Sequence, residues 1–157
     1  MVKNKLDAPE KARAYAFLLL KFRLRSVKEI HGRLKIKGFE EGIIKETVSF
    51  LKDKGFIDDR LFAKSWIDSR IKKPLGLRRI EAELRLKGIS KEIIDSLISE
   101  TKKNYCEPDL VAKIAKERLE KLKGIEPQKA KRRVYAYLVR RGFSPETVID
   151  TICRQIP

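Results

Sequence analysis

The chain has 157 residues, of which 42% are hydrophobic and 38% are charged, so a folded core is expected and global disorder is not. Its 38 basic and 22 acidic side chains give a net charge of +16, which favours a polyanionic partner such as nucleic acid or an acidic protein surface. The longest apolar run, near residues 14–20, is too short to span a bilayer, and we expect no secretory signal. Two widely spaced cysteines argue against a disulfide framework, so we expect a cytoplasmic protein that does not bind membranes.

The first predicted unit starts with a helix from Pro9 to Phe22, with the proline in its first turn. Ser26 and Glu29 have the spacing of a capping box, which opens a second helix. Gly38 ends that helix, because glycine adopts the left-handed conformation without steric cost. A third helix follows, and its apolar stripe consists of Ile44, Val48 and Leu51.

This pattern occurs three times along the chain, around glycines spaced 50 and 54 residues apart. A leucine lies four residues before each glycine, a β-branched residue lies eight before it, and a basic residue directly precedes it. Since residues four apart share a helix face, each repeat predicts a helix, a tight turn and a second helix. The repeated positions are Ile30, Leu34, Lys37 and Gly38; Ile80, Leu84, Lys87 and Gly88; and Val134, Leu138, Arg141 and Gly142.

A further helix is predicted before the second and third repeats, at Asp59–Ile71 and Pro108–Leu122. Ser90 and Ser144 are placed as N-caps of the helices that end these units. No segment alternates with period two, so no sheet is expected. We expect an all-α fold of nine helices in three tandem three-helix repeats, elongated and built from helix-turn-helix-like units. The expected domains are residues 1–57, 58–105 and 106–157.

Asp58 and Asp59 are adjacent, and paired carboxylates are typical of metal sites and of acid/base pairs. Adjacent helical residues point about 100° apart, so the favoured interpretation is a helix cap, which also suits the positive end of the helix dipole. Phe62 and Trp66 follow at helical spacing and are interpreted as core residues, with base stacking by Trp66 as the alternative.

The sequence contains no arrangement of residues typical of an enzyme. His31 is the only histidine, so a catalytic triad or a zinc site that needs histidine partners is hard to build. Neither a P-loop nor a dinucleotide-binding glycine motif is present. We therefore expect no catalytic residue, no bound metal and no cofactor.

Basic residues are patterned along the second and third units, and the three expected domains carry net charges of +7, +4 and +5. The segment 129–141 has six basic residues and no acidic one, which favours a binding role over a merely solvated helix face. Long cations suit phosphate or carboxylate more than base edges, so a sequence-specific operator binder is disfavoured. The predicted partner-binding residues are Arg78, Arg79, Arg85, Lys87, Arg132, Arg133, Arg140 and Arg141.

The middle of the chain carries a specific run of residues: Phe56-Ile57-Asp58-Asp59, Phe62-Ala63, Trp66, Arg70, Gly76, Arg79-Ile80, Glu83-Leu84 and Lys87-Gly88-Ile89. This run closely resembles the signature of the bacterial RecX regulatory proteins. Arg25-Ser26 with Lys37-Gly38-Phe39 looks like the first repeat of that family, and residues 140–144 look like the third. One departure is Leu77-Arg78 after Gly76, where proline is common before the arginine–isoleucine pair.

The resemblance implies three tandem three-helix repeats and a non-enzymatic role. It implies a partner, the RecA recombinase filament on single-stranded DNA, in whose groove such proteins restrain the ATPase, strand-exchange and co-protease activities. Recombination, DNA repair and the SOS response would thereby be regulated, and we expect a monomer. The alternative is an independent basic helical protein that binds DNA without RecA. An enzyme is the third hypothesis, and it would depend on Asp58 and Asp59.

Overall fold

The computed structural model describes residues 7–155, and within that range the protein is all-α, with nine helices and no strand. The predicted fold class is confirmed. The helices are α1 (Ala8–Phe22), α2 (Val27–Ile36), α3 (Glu41–Asp53), α4 (Asp59–Ile71), α5 (Leu77–Leu86), α6 (Lys91–Lys102), α7 (Glu107–Glu120), α8 (Pro127–Arg140) and α9 (Pro145–Gln155).

The helices pack in threes, and each group of three has a hydrophobic core of its own. We call α1–α3, α4–α6 and α7–α9 unit 1, unit 2 and unit 3. The repeated leucines Leu34, Leu84 and Leu138 are fully buried, one in each core. The exact domain boundaries stay a prediction, but the three-helix grouping follows directly from the packing.

The middle helix of each unit ends in the turn that the repeat predicts. Gly38, Gly88 and Gly142 have φ angles of 90°, 79° and 89°, a region that favours glycine. The residue after each glycine donates its N–H to the carbonyl of the repeated leucine, at 3.1 to 3.3 Å, as in a Schellman turn. Each turn therefore sends the next helix back across the same core.

The ends of the middle helices connect the units. At the first junction, the carboxyl end of α5 meets the amino end of α2, and the Ser26 hydroxyl donates to the Lys87 carbonyl at 2.7 Å. At the second junction, the carboxyl end of α8 meets the amino end of α5, and the Gly76 N–H donates to the Arg141 carbonyl at 2.9 Å. Ser26 and Gly76 are the N-caps of α2 and α5, so the two junctions use equivalent positions. In both, the positive end of one helix dipole faces the negative end of another.

Candidate partner-binding surface

Ion pairs and hydrogen bonds within the chain stabilise the first junction. Glu29 lies in the first turn of α2 and accepts from Arg23 at 3.0 Å and from Lys87 at 2.6 Å. Asp59 accepts from the Val27 N–H at 2.9 Å, and the Lys28 ammonium donates to the Leu86 carbonyl at 3.2 Å. Units 1 and 2 are thus held together by several charged and polar contacts.

Burial raises the pKa of Glu29, but hydrogen bonds from Arg23 and Lys87 outweigh that effect and lower the pKa from 4.5 to about 2. A carboxyl whose pKa is lower in the folded protein contributes stability above its unfolded pKa and loses it as the pH falls through the folded value. The contribution of Glu29 is therefore complete above about pH 4.5 and is lost towards pH 2.

We predict that Glu29→Gln lowers the denaturation midpoint by its full amount above about pH 4.5, because there the wild-type carboxylate is ionised and holds both cations. The difference in denaturation midpoint between the wild type and Glu29→Gln should decrease as the pH falls from 4.5 to 2. Denaturant unfolding, followed by circular dichroism over that range, measures it. The exposed Glu117→Gln is the matched control, since Glu117 has no ion pair within residues 7–155. A gap that stays constant with pH would contradict the assignment.

The second junction contains an open cleft with a volume of about 470 Å³. Its charged lining comes from the end of α4, the loop after it, α5 and the end of α8, and it holds five cations and one carboxylate. These residues are Arg70, Lys73, Arg79, Glu83, Arg140 and Arg141. We call this the second-junction cleft.

Glu83 does not neutralise the second-junction cleft, because its oxygens are already shared. One oxygen accepts from the Trp66 indole at 3.0 Å and from Arg70 at 2.8 Å, and the other accepts from Arg79 at 3.3 Å. Burial raises the pKa of Glu83, but these three donors outweigh it and leave the pKa below its ordinary value. The carboxylate is therefore ionised near neutral pH and the cleft keeps an excess of positive charge.

A second basic cleft adjoins the first, between α7 and α8, with a volume of about 230 Å³. Arg118, Lys121, Arg133 and Arg140 line it, and Tyr137 and Arg140 line both clefts. The Arg118 guanidinium lies 3.7 Å from the centre of the Tyr137 ring. Partial burial raises the pKa of Tyr137, but Arg118 and Arg141 outweigh it and hold the pKa below its usual value. The two clefts form one cationic surface across units 2 and 3.

The structure brings together four of the eight predicted binding residues. Arg79, Arg140 and Arg141 line the second-junction cleft, and Arg133 lines its neighbour. The other four lie outside both clefts: Arg78 and Arg132 are exposed, Arg85 is 3.7 Å from Glu81, and Lys87 is held by Glu29 at the first junction. The binding role of all eight stays a prediction.

Sequence reasoning missed five residues of this surface, namely Arg70, Lys73, Arg118, Lys121 and Tyr137. They lie on α4 and its following loop, on α7 and its C-cap, and on α8, so no local pattern joins them. One signal was available for Lys73, because it stands 15 residues before Gly88 just as Arg23 stands 15 before Gly38. Extending the repeat alignment upstream would have found this cation.

The interpretation of Asp58 as a cap is confirmed, since its side chain accepts from the N–H groups of Arg60 and Leu61 at 2.7 and 3.0 Å. Asp59 acts at the first junction instead.

Among residues 7–155, no group of three or more histidine, cysteine, aspartate or glutamate side chains is placed to hold a metal ion. In the same range, no helix is long and apolar enough to cross a membrane.

The fold and this surface together define a class: a tandem array of three-helix units, joined at helix ends, with a cationic surface across units 2 and 3. Comparison with known families makes the assignment specific. Residues 12–51 match the first three-helix domain of RecX, residues 58–98 match the second, and residues 107–152 match the third. The chain belongs to the RecX family.

Relatives support the same assignment over nearly the whole length. The chain is 34% identical over 148 residues to a regulatory protein RecX from Mycobacterium sp., covering 91% of this chain and 80% of that protein. It is 33% identical over 144 residues to a regulatory protein RecX from Chlorobium limicola, covering 91% and 88%. The crystal structure of RecX from Lactobacillus salivarius has the same fold, with a TM-score of 0.80 at 22% identity over 96% of this chain and 97% of that one.

Proposed function

We propose that this protein binds the filament that RecA forms on single-stranded DNA and mainly inhibits its ATPase, strand-exchange and co-protease activities. It would thereby regulate recombination, DNA repair and the SOS response. The observation that carries the proposal is the match to all three RecX domains. In this proposal the protein acts as a monomer in the cytoplasm, without catalysis and without a cofactor.

The cationic surface supports this proposal physically. A groove in a nucleoprotein filament presents DNA phosphates and acidic side chains, both of which arginine binds through paired donors. Arg133, Arg140 and Arg141 lie on this surface at α8, and Arg132 is exposed on the same helix. We expect α8 to supply much of the contact with the filament.

We predict that reversing Arg132, Arg133, Arg140 and Arg141 to glutamate abolishes inhibition of the RecA ATPase. These side chains would then repel the same acidic groups that they now attract. The assay is RecA ATP hydrolysis on single-stranded DNA, titrated with each variant, with helicity checked by circular dichroism.

The matched control reverses four exposed lysines outside both clefts, Lys45, Lys52, Lys91 and Lys116, and so changes the net charge equally. Inhibition by this control should persist. Full inhibition by the arginine variant would remove α8 from the contact surface, and no inhibition by the wild type would overturn the proposed function itself.

The excess charge of the two clefts also favours a second candidate function, binding of bare DNA without RecA. That function predicts tight binding to single-stranded DNA alone, with a log–log salt slope of about −0.7 for each phosphate contacted. Weak binding with a shallow slope, beside strong binding to the RecA filament, favours the first candidate.

A further inference from the structure

The two junctions occupy equivalent positions of the repeat, so their side chains can be compared one for one. Glu29 stands nine residues before Gly38, and Arg79 stands nine before Gly88. The cation that pairs with Glu29 from its own unit is Arg23, 15 residues before Gly38, and the equivalent residue 15 before Gly88 is Lys73. The third member comes from the neighbouring unit, directly before its repeat glycine. It is Lys87 at the first junction and Arg141 at the second.

This comparison shows a carboxylate missing from the second junction. At the first junction the order is cation, carboxylate, cation, and Glu29 joins Arg23 to Lys87. At the second junction Lys73, Arg79 and Arg141 are all cations, and all three line the same cleft. Like charges gathered at one contact repel unless an anion lies between them.

The chain supplies no such anion within residues 7–155. Lys73 and Arg141 form no ion pair there, and the Arg141 guanidinium lies 5.2 Å from the centre of the Tyr137 ring. Arg79 has Glu83 at 3.3 Å, but that carboxylate is shared with Arg70 and Trp66. The three partners of Glu83 all belong to unit 2, so Glu83 does not form a bridge to unit 3 like the one that Glu29 forms between units 1 and 2.

We propose that the second-junction cleft binds one phosphate group, which bridges Lys73, Arg79 and Arg141 and takes the place that Glu29 has at the first junction. A phosphate group offers several strong acceptor oxygens, and arginine donates to it in pairs. The cleft is open and has a volume of about 470 Å³, so a phosphate reaches it from solvent. Binding joins cations of unit 2 to a cation of unit 3 and thereby fastens the two units together.

The bound phosphate group has two chemical sources, a free phosphate ion or a phosphodiester of a nucleic acid backbone. The assignment of the natural source to single-stranded DNA rests on the proposed function. The phosphate site itself does not rest on the proposed function, because phosphate binding is measured on the isolated protein without RecA. The two ideas can therefore fail separately.

The experiment titrates the full chain with inorganic phosphate, and separately with a short oligothymidylate, at constant ionic strength set by chloride. The arginine Nε–Hε signals in nitrogen-15 NMR spectra report each guanidinium. We expect saturable shifts for Arg79 and Arg141, and a rise in thermal midpoint with phosphate, since a ligand that binds only the folded state stabilises it.

Two variants and a control test the geometry. Lys73→Gln should weaken binding about tenfold, the loss of one charge-assisted hydrogen bond. Lys73 has no side-chain partner within residues 7–155, so this change leaves the fold intact. Arg79→Glu should copy the first junction, abolish the phosphate response and raise the thermal midpoint without phosphate. Lys52→Gln, an exposed lysine on α3, should bind like the wild type.

Each outcome bears on the site. Binding of both phosphate and oligothymidylate, each weakened by Lys73→Gln, supports the site. Binding of oligothymidylate alone, with the same dependence on Lys73, also supports the site and identifies its ligand as a phosphodiester. Non-saturable shifts, or equal affinities for the wild type, Lys73→Gln and Lys52→Gln, would overturn it, because then only the overall charge attracts the anion.

Discussion

Replacing Gly76 by alanine is expected to separate unit 3 from unit 2 while both cores stay folded. A Cβ atom at this position would lie 2.2 Å from the carbonyl carbon and oxygen of Gly142 and 2.4 Å from the Phe143 nitrogen. All three are backbone atoms, so no side-chain rotation relieves the overlap. The contact between the amino end of α5 and the turn after α8 has to open.

The effect arises at the junction and not in α5. Gly76 has φ −75° and ψ 155°, which any residue adopts, so alanine introduces no backbone strain. What is lost is the close approach of two backbones, with the hydrogen bond from Gly76 to the Arg141 carbonyl. Overpacking of a tight contact costs about 1–3 kcal/mol, enough to part units joined mainly at one helix end.

Hydrogen exchange measures this directly. In Gly76→Ala, protection should fall at the amide of residue 76 and leave the core helices of each unit unchanged. Gly32→Ala is the control, because it lies within α2 with no atom in the way, and alanine there should stabilise by about 0.5–1 kcal/mol. Equal protection of the residue 76 amide in the wild type and Gly76→Ala would show that alanine does not open the junction, and an unprotected amide in the wild type would show that the second junction is not formed in solution.

Much of the helical pattern could be read from the sequence, because its signals are local. Capping residues, apolar spacing and turn glycines each act within a few residues, and the predicted helix at Asp59–Ile71 has the bounds of α4. The helix predicted at Pro108–Leu122 is observed at Glu107–Glu120, a shift at each end that is common where helices fray. Phe62 is buried as expected, while Trp66 is only partly buried.

The junctions could not be read in the same way, since they join residues far apart in the chain. Lys87 has the pattern of an exposed cation at a helix end, but its partner, Glu29, lies 58 residues earlier. Asp59 likewise looks like a first-turn acid, although its side chain binds the Val27 backbone. The helical period of the apolar residues determines which face of a helix is buried. It carries no information about which other helix end that helix contacts. For that reason the residues of the second-junction cleft could be grouped only from the packing.

The last prediction separates a structural role from a binding role at Trp66. Its ring stacks on Phe62 with centroids 5.7 Å apart, and its indole N–H donates to Glu83 at 3.0 Å. The cations of Arg70 and Lys87 lie 4.4 and 4.9 Å from the ring centre. Trp66 thus joins α4 to α5 and also contacts the lysine that closes the first junction.

We therefore expect Trp66→Ala to destabilise unit 2 by about 3 kcal/mol, the usual cost of truncating a large packed aromatic residue. Trp66→Phe keeps the apolar packing and loses only the hydrogen bond to Glu83, so it should cost about 1 kcal/mol. Leu61→Ala, at a position 54% exposed on the same helix, should stay close to the wild type. Urea unfolding followed by circular dichroism gives the three values.

Inhibition of RecA should follow these stabilities if Trp66 acts through the fold. Under conditions where Trp66→Ala remains folded, it should retain inhibition, because its ring is turned towards α5 and the first junction and does not line either basic cleft. A Trp66→Ala protein with wild-type stability and no inhibition would make the indole a contact residue, as expected of a base-stacking side chain. Inhibition by folded Trp66→Ala decides between these roles, since it persists if the ring only supports the fold and is lost if the ring stacks on a base.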